Sequence, residues 1–231
     1  MTATPGLNGL VVGATGLVGG LALPGLLGRV QGAGGVLVVP SRRPLALADP
    51  ALVNLVGEIV GTRLARPVAS ALRARDAGLD VFVSCLGTTI RQAGSQAAFH
   101  AIDFVLVRDL AEIALKHGAR QAIVVSSVGA DARSRNFYLR TKGALEEELA
   151  SLGFRRCDFL QPGLLIGDRG GPKRFAESLG QKWLPRIDPL LRGRLGAYRS
   201  IRAEQVAASI VRLYGRSEPG VFRHVHRDMV A

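Results

Sequence analysis

The sequence predicts an α/β domain built on a doubly wound parallel sheet with a small C-terminal cap. Short apolar runs rich in valine, such as Val36–Val39 and Val81–Ser84, alternate with longer helical stretches. This alternation is typical of parallel strands that are joined by crossover helices. The runs are apolar on both faces, as strands must be when helices cover both sides of their sheet. Right-handed crossovers then give the doubly wound arrangement.

The predicted elements follow in chain order. Six apolar runs are the predicted strands: Leu10–Val12, Val36–Val39, Glu58–Val60, Val81–Ser84, Ala122–Val125 and Cys157–Leu160. Five longer stretches are the predicted helices: Leu17–Val30, Leu64–Arg75, Ser95–His117, Phe137–Leu152 and Ala203–Tyr214. Ser95 is placed to cap the third helix and Gly118 to end it. His224 and His226 alternate on a run that could form a last strand.

The length of 231 residues suits a single domain, which we predict over residues 1–231. A chain of this length buries a full core without disulfides or metals. After Pro162 the alternation loosens, because prolines and glycines interrupt it. We therefore expect residues after about 163 to contribute a small cap over the carboxyl edge of the sheet, on the substrate side.

Cysteine content and the N-terminal stretch bear on the compartment. The two cysteines, Cys85 and Cys157, form no disulfide framework and have no partners at metal-binding spacing. This usage suits a reducing setting, and we expect a cytoplasmic location. The first charged residue is Arg29, but Pro24 and several glycines interrupt the stretch before it, which argues against a membrane span. No positively charged segment precedes the stretch, so we expect no secretory signal.

The net charge of +12 comes from 30 basic and 18 acidic residues. Such an excess can attract nucleic acid or other anionic partners. Here the basic residues are scattered and form no block of five, and only four of them are lysines. We therefore do not expect nucleic acid to be the main partner. A homo-oligomer or a protein partner stays open.

A glycine-rich loop joins the first strand to the first helix. Its sequence is Gly13-Ala14-Thr15-Gly16-Leu17-Val18-Gly19. Glycines at this spacing permit a tight turn, a close approach of backbone N–H groups to a pyrophosphate, and close packing of the helix on its strand. The N-terminus of the helix adds a partial positive charge. We expect this loop to bind a dinucleotide; the alternative is a tightly packed turn without a ligand.

The residues after the second strand bear on which dinucleotide binds. An acidic residue there would accept a hydrogen bond from the ribose 2′-hydroxyl of NAD. This chain has Ser41, Arg42 and Arg43 instead. Guanidinium groups match a 2′-phosphate in charge and in geometry. We predict a preference for NADP(H) over NAD(H); the alternative is that both arginines are ordinary surface residues.

Tyr138 and Lys142 are four residues apart, so they share one face of a helix. A nearby ammonium lowers the pKa of a phenol from about 10 and suits it to acid–base work on a carbonyl or an alcohol. Ser126 and Ser127 lie at the carboxyl end of the fifth strand, where a hydroxyl can stabilise charge on a reacting oxygen. Two other segments at this edge, Gly87–Thr89 and Gln161–Gly163, could line the cofactor.

As a set, these segments resemble the short-chain dehydrogenase/reductase superfamily in its atypical branch, and more narrowly the Tat-interacting-protein-like oxidoreductases. Besides the motifs above, the resemblance includes the segment Cys85–Thr89, which contains Leu86. It also includes Pro162, Gly163 and Leu165. It implies a Rossmann fold and NADP(H) binding. It also implies that Tyr138 is the acid–base group, that Lys142 holds the nicotinamide ribose and that Ser127 is the catalytic serine, with Ser126 facing the cofactor. The predicted cofactor-binding residues are Gly13, Ala14, Thr15, Gly16, Leu17, Val18, Gly19, Ser41, Arg42, Arg43, Leu86, Gly87, Thr88, Ser126, Tyr138, Lys142, Pro162, Gly163 and Leu165.

The chain also departs from the superfamily pattern. It has Gln161 where many members have arginine, and Asp103 near the place of an asparagine that supports the lysine. Members that act on nucleotide sugars have a longer C-terminal domain, which we do not expect in this chain. The sequence therefore predicts an NADP(H)-dependent oxidoreductase of a small carbonyl or alcohol, with the substrate unidentified. The alternatives are a non-enzymatic NADP(H) sensor that acts through a protein partner, and epimerase or dehydratase chemistry.

Overall fold

The computed structural model describes residues 7–167 and 193–230. Within these ranges the centre of the molecule is a seven-stranded parallel sheet in the order β3-β2-β1-β4-β5-β6-β9. Its strands are β1 (Gly9–Val12), β2 (Leu37–Ser41), β3 (Leu52–Val56), β4 (Val81–Ser84), β5 (Gln121–Val125), β6 (Arg156–Leu160) and β9 (Gly220–His224). Two short strands, β7 (Leu165–Ile166) and β8 (Ile201–Arg202), pair separately. This topology confirms the predicted doubly wound fold.

Helices cover both faces of the sheet. They are α1 (Leu17–Gly32), α2 (Gly61–Arg73), α3 (Ile90–Ala93), α4 (Gln96–His100), α5 (Val107–Lys116), α6 (Phe137–Ser151), α7 (Ala203–Leu213) and α8 (His226–Val230). A π-helical segment, Ala101–Leu106, joins α4 to α5, and a 3₁₀ segment spans Gly193–Tyr198. No helix in the described ranges is long and apolar enough to cross a membrane.

Alternate residues of each strand enter two separate cores. On β1, Val11 packs with α1 and α7, whereas Leu10 and Val12 pack with α2, α5 and α6 on the other side. All three side chains are fully buried. This two-sided burial is the reason that the strands read as unbroken apolar runs instead of alternating ones.

The third strand lies elsewhere than predicted. The prediction of Glu58–Val60 is wrong, because β3 is Leu52–Val56 and pairs with β2 alone at the edge of the sheet. Four of its five residues are half-buried, Val56 is exposed, and the middle residue is the polar Asn54. The Asn54 amide donates a hydrogen bond of 2.9 Å to the carbonyl oxygen of Val39. An edge strand needs no continuous apolar run, so the sequence of β3 lacks the feature by which the other strands were predicted.

The long helix predicted over Ser95–His117 is broken by a change of pitch. The caps are confirmed: the Ser95 hydroxyl accepts a hydrogen bond of 3.0 Å from the Ala98 amide, and Gly118 ends the helix with a φ of 100°. Between them, Ala101–Leu106 is π-helical and contains the buried Asp103. A π turn inserts one extra residue into a helix and often accompanies a functional site.

The C-terminal residues do more than form a cap. Helix α7 packs on α1, its Val206 and Ile210 enter the core, and β9 adds a seventh strand beside β6. Tyr214, just after α7, is fully buried against Gly9. Residues 201–230 therefore belong largely to the main domain, because they complete its sheet and core. Most of the predicted cap, residues 168–192, lies outside the described residues.

Candidate cofactor and active site

The predicted site residues follow the carboxyl ends of five neighbouring strands. Chain order reverses between β1 and β4, which are adjacent in the sheet. In open α/β sheets, ligands bind in the crevice at such a reversal, outside the carboxyl ends of the strands. The glycine loop follows β1, and the segment from Leu86 to Thr88 follows β4. The fold thus brings the two loops together at the edge where a dinucleotide would lie.

Two glycines of the first loop are required by packing. Gly13 has a φ of 80°, and a Cβ there would lie 2.5 Å from the carbonyl carbon of Cys85. A Cβ on Gly19 would overlap the carbonyl oxygen of Gly13. The Gly16 amide donates a hydrogen bond of 3.0 Å to that same oxygen. The loop is therefore a tight turn pressed against the end of β4, and these contacts hold it whether or not a ligand is bound.

The beginning of α1 presents backbone to solvent. Gly16 precedes the helix, has no side chain to cap it and is exposed beside Thr15. The first turn contains no acidic residue. Uncapped N–H groups at a helix N-terminus suit an anion such as a pyrophosphate. The other residues of the loop and first turn have packing roles: Ala14 and Val18 are buried, and Leu17 is half-buried against the core.

A hydrogen-bonded turn follows β2. The buried Ser41 hydroxyl donates a hydrogen bond of 2.7 Å to the Arg43 carbonyl oxygen and accepts one of 2.7 Å from the Asn54 amide. The Asn54 carbonyl oxygen in turn accepts a hydrogen bond of 3.0 Å from the Leu45 amide. Asn54 on β3 thus fixes the turn from both ends. Sequence reasoning missed Asn54, since its strand was placed elsewhere.

The side chains of this turn are open to solvent. Arg42 and Arg43 are exposed at the carboxyl end of β2. Among the described residues, no carboxylate forms an ion pair with either guanidinium. Both charges are therefore available to an anionic group in the crevice.

Helix α6 carries the tyrosine and the lysine. Asn136 caps it by accepting a hydrogen bond of 3.2 Å from the Leu139 amide, so Tyr138 lies in the first turn. Tyr138 is half-buried, and its ring lies 5.5 Å from that of Phe99 on α4. Lys142, one turn later, is only 3% exposed. The spacing predicts that Tyr138 and Lys142 share a helix face. On that face the Lys142 side chain points into the protein, toward the π-helical segment.

Asp103 holds the lysine. The Asp103 Oδ1 and Lys142 Nζ atoms are 2.7 Å apart, and both side chains are buried. The other carboxylate oxygen accepts a hydrogen bond of 3.0 Å from the Thr88 amide. Gly87 lies above the pair, since a Cβ there would be 4.0 Å from the Lys142 Nζ atom. One carboxylate therefore links the π-helical segment, helix α6 and the loop after β4.

The two serines after β5 differ in their surroundings. Ser127 is half-buried, and its hydroxyl is 3.3 Å from the Val128 carbonyl oxygen. The Ser126 hydroxyl is buried and donates a hydrogen bond of 2.5 Å to Glu146 on α6. The expectation that the Ser126 side chain faces the cofactor is therefore not met, because a buried carboxylate binds it inside the protein. Nothing in the motif indicated Glu146.

The segment after β6 is packed against the C-terminal part of the chain. The Pro162 carbonyl oxygen accepts a hydrogen bond of 3.0 Å from the Val128 amide. A Cβ on Gly163 would overlap the Arg199 carbonyl oxygen. Leu165 is half-buried on β7 against the core beside α1, and Leu86 after β4 packs on the opposite core. Pro162, Gly163, Leu165 and Leu86 therefore lie near the carboxyl edge of the sheet. Their contacts do not indicate a ligand.

Neither cysteine is poised to react. Burial raises the pKa of the Cys85 thiol to about 12. Burial and the nearby Asp158 carboxylate raise the pKa of the Cys157 thiol to about 11. Only a thiolate is a good nucleophile, so at neutral pH both side chains act as small apolar groups.

Comparison with known proteins identifies the family. No family model matches the sequence. A mitochondrial FMP52 protein of Debaryomyces hansenii is 32% identical over 177 residues, which cover 77% of this chain and 75% of that protein. The chain belongs to the FMP52 family. Another member, from Emericella nidulans, is 33% identical over 162 residues, covering 70% and 68% of the two chains.

Several solved structures share the fold of this chain. The aldohexose dehydrogenase of Thermoplasma acidophilum matches with a TM-score of 0.66 at 14% identity, covering 95% of this chain and 92% of that one. ElxO with NADPH bound has a TM-score of 0.70 at 13% identity, with 94% and 96% covered. A short-chain dehydrogenase/reductase from Serratia marcescens has a TM-score of 0.68 at 15% identity, with 99% and 100% covered. The expected Rossmann fold is confirmed.

The predicted location is corrected by the family. The FMP52 relatives are named as mitochondrial proteins, so the expected cytoplasmic location is wrong. Two unpaired cysteines suit a reducing environment, but they do not distinguish one reducing compartment from another.

Proposed function

We propose that this FMP52-family protein is an NADP(H)-dependent oxidoreductase of a small carbonyl or alcohol compound, with Tyr138 as its acid–base group. One observation carries the proposal. Lys142 is buried and fixed one helical turn after Tyr138, beneath the loop that follows β4. Burying an ammonium costs free energy even when a carboxylate pairs with it, because both groups lose their hydration, and this pair lies at the edge of the sheet where the glycine loop begins. A use in binding or chemistry accounts for that placement.

The residues at this edge fit a bound dinucleotide. The glycine turn and the uncapped start of α1 suit the pyrophosphate. Arg42 and Arg43 are exposed on a turn that Ser41 fixes, so their guanidinium groups can reach a 2′-phosphate. Proteins of this fold include both a structure with the 2′-phosphorylated cofactor and one with the cofactor that lacks this phosphate: ElxO has NADPH bound, and WbmH of Bordetella bronchiseptica has NAD⁺. The arginine pair is what favours NADP(H) here.

The chain's own residues would then handle the substrate oxygen. When bound, the nicotinamide supplies or accepts a hydride at the substrate carbon. Tyr138 donates a proton to the carbonyl oxygen during reduction and accepts it during oxidation. Ser127 donates a hydrogen bond to the same oxygen, and Lys142 holds the nicotinamide ribose.

The test of the chemistry is single-turnover oxidation of NADPH with a panel of small carbonyl compounds. Tyr138→Phe should lower the rate at least about a hundredfold, as expected for loss of a general acid. Tyr214→Phe is a matched control, because that hydroxyl is buried near Leu7 at the amino end of β1. Equal rates for the wild type and Tyr138→Phe would contradict the assignment of Tyr138 as the acid–base group.

The cofactor preference has its own test. NADPH should bind more tightly than NADH, and Arg42→Ala/Arg43→Ala should abolish the difference. Equal affinities of the wild-type protein for the two would remove the argument from the 2′-phosphate. Cofactor that stays bound without exchange would favour epimerase or dehydratase chemistry. A partner captured only in the presence of NADPH, without turnover, would favour the sensor.

A further inference from the structure

The Asp103–Lys142 pair leaves the active site without net charge at the lysine. Asp103 is fully buried, so its carboxylate is not shielded by water. Its two oxygens contact the Lys142 ammonium at 2.7 Å and the Thr88 amide at 3.0 Å. An asparagine in the same place has a single acceptor oxygen, so it would keep one of these two contacts and would leave the ammonium uncompensated.

Other carboxylates do not take over this role. The next acid on the same face of α6 is the buried Glu146, which accepts hydrogen bonds from Ser126 and Gln161 and pairs with Arg223 at 2.8 Å. Asp109 on α5 pairs with Arg108 at 2.8 Å. Among the described residues, Asp103 is the carboxylate that pairs with Lys142.

The charge at Lys142 matters because the two forms of the cofactor differ in charge. The oxidised nicotinamide ring carries one positive charge and the reduced ring carries none. An uncompensated ammonium beside the ring would therefore disfavour the oxidised form alone. A neutral ion pair acts on both forms nearly equally.

We propose that Asp103 is a positioning residue that cancels the charge of Lys142, so that the site binds oxidised and reduced cofactor with comparable affinity. It acts through Lys142 and through the Thr88 backbone. The inference rests on the proposed function, because it needs the nicotinamide ring beside Lys142. Asp103 then sets the relative affinity for oxidised and reduced cofactor, in addition to holding the lysine in place.

The experiment is calorimetric titration of four proteins with NADP⁺ and with NADPH at pH 7: wild type, Asp103→Asn, Lys142→Gln and the double variant. The measured quantity is the ratio of the NADP⁺ and NADPH dissociation constants. Asp103→Asn should raise this ratio by about tenfold, and Lys142→Gln should lower it, because one leaves a positive and the other a negative charge beside the ring. The double variant, neutral again, should return the ratio to within about twofold of wild type.

A purely structural role would weaken both forms together and leave the ratio unchanged in all variants, which would overturn the inference. Asp109→Asn is the matched control, since it removes a carboxylate on the adjoining helix α5 that pairs with Arg108 instead, and its ratio should equal that of wild type. If Asp103→Asn does not fold, the ratio of dissociation constants for Lys142→Gln is compared with that for the double variant. These two proteins also differ by one charge beside the ring. A wild-type protein that binds neither form would contradict the proposed function itself, which is a different result from an unchanged ratio.

Discussion

The Ser126 hydroxyl at the end of β5 donates a hydrogen bond of 2.5 Å to Glu146, a buried carboxylate on the helix that carries Tyr138 and Lys142. Glu146 also accepts hydrogen bonds from Gln161 after β6 and from Arg223 on β9. One carboxylate thus ties helix α6 to the ends of β5 and β6 and to β9. This link fixes the helix over the sheet edge where the site lies.

Arg223 and Glu146 should differ in how much their loss costs. Glu146 is buried, whereas the Arg223 side chain is 48% exposed and can be solvated when its partner is lost. Arg223→Ala leaves a buried carboxylate unpaired and should lower the free energy of unfolding by about 2 kcal/mol. Glu146→Gln retains a hydrogen-bond acceptor for Ser126 and should cost less. Urea unfolding of both variants tests this order, and a larger loss in Glu146→Gln would contradict it.

Asn54 should influence cofactor preference without touching the cofactor. Its amide fixes the turn that presents Arg42 and Arg43. Asn54→Ala frees that turn, so NADPH affinity should fall by about threefold to tenfold while NADH affinity changes little, because a mobile turn pays more entropy to bind the 2′-phosphate. The control is Gln31→Ala, which removes a surface amide that contacts Asp49. Equal losses for NADPH and NADH would show that the turn has no part in the preference.

Two glycines of α1 should respond in opposite directions to the same substitution. A Cβ on Gly19 would overlap the Gly13 carbonyl oxygen, so Gly19→Ala should destabilise the protein by about 2 kcal/mol and weaken NADPH binding. Gly28 is exposed on the same helix with open space around it. Gly28→Ala should stabilise the protein by about 0.5–1 kcal/mol, since alanine favours helix. Thermal unfolding compares them; a loss of stability in Gly28→Ala would contradict the helix packing described.

Stability at acid pH should depend on Asp158, which is buried at the centre of β6, the strand next to the edge strand β9. Burial alone would raise its pKa, but hydrogen bonds from His224, Arg156 and Gln121 outweigh burial and hold the pKa below its ordinary value of 3.8. A carboxyl whose pKa is lowered by folding stabilises the protein above that ordinary value and loses the contribution as pH falls through the folded value. The wild-type protein should therefore lose stability steeply below about pH 4.

The measurement is urea unfolding at pH 7 and at pH 3, for the wild type and for Asp158→Asn. The difference in unfolding free energy between the two proteins should be large at pH 7 and smaller at pH 3. Glu58→Gln is the control, because that carboxylate and its partner Arg63 are more than 70% exposed and should contribute little at either pH. A difference between wild type and Asp158→Asn that does not change with pH would contradict the linkage.

The central part of the sheet could be predicted from the sequence because its strands are buried on both faces. Val81–Ser84 was predicted with the bounds that β4 has, and the other inner strands within one or two residues. The edge strand β3 could not be, since a half-buried strand with Asn54 at its centre lacks an apolar run. The C-terminal residues were harder still, because β9 comes from a mostly exposed stretch, Gly220–His224, whose place beside β6 depends on long-range pairing.

The candidate site was predicted as motifs, and the polar residues that hold it in place were mostly missed. Gly13, Tyr138 and Lys142 are recognisable because their spacing reflects local geometry. Asp103 was noted only as a departure from a pattern, and nothing in the sequence indicated Glu146. Their contacts join residues 39 and 20 positions apart along the chain, so no local spacing indicates them.

The most direct test of the account is transfer of deuterium from NADPH labelled at C4 of the nicotinamide to a small carbonyl substrate, followed by mass spectrometry of the alcohol. The wild-type protein should place the label on the carbinol carbon, and Tyr138→Phe should do so at least about a hundredfold more slowly. Labelled product at equal rates from both proteins would contradict the role of Tyr138, and no labelled product with any carbonyl tested would contradict the oxidoreductase itself.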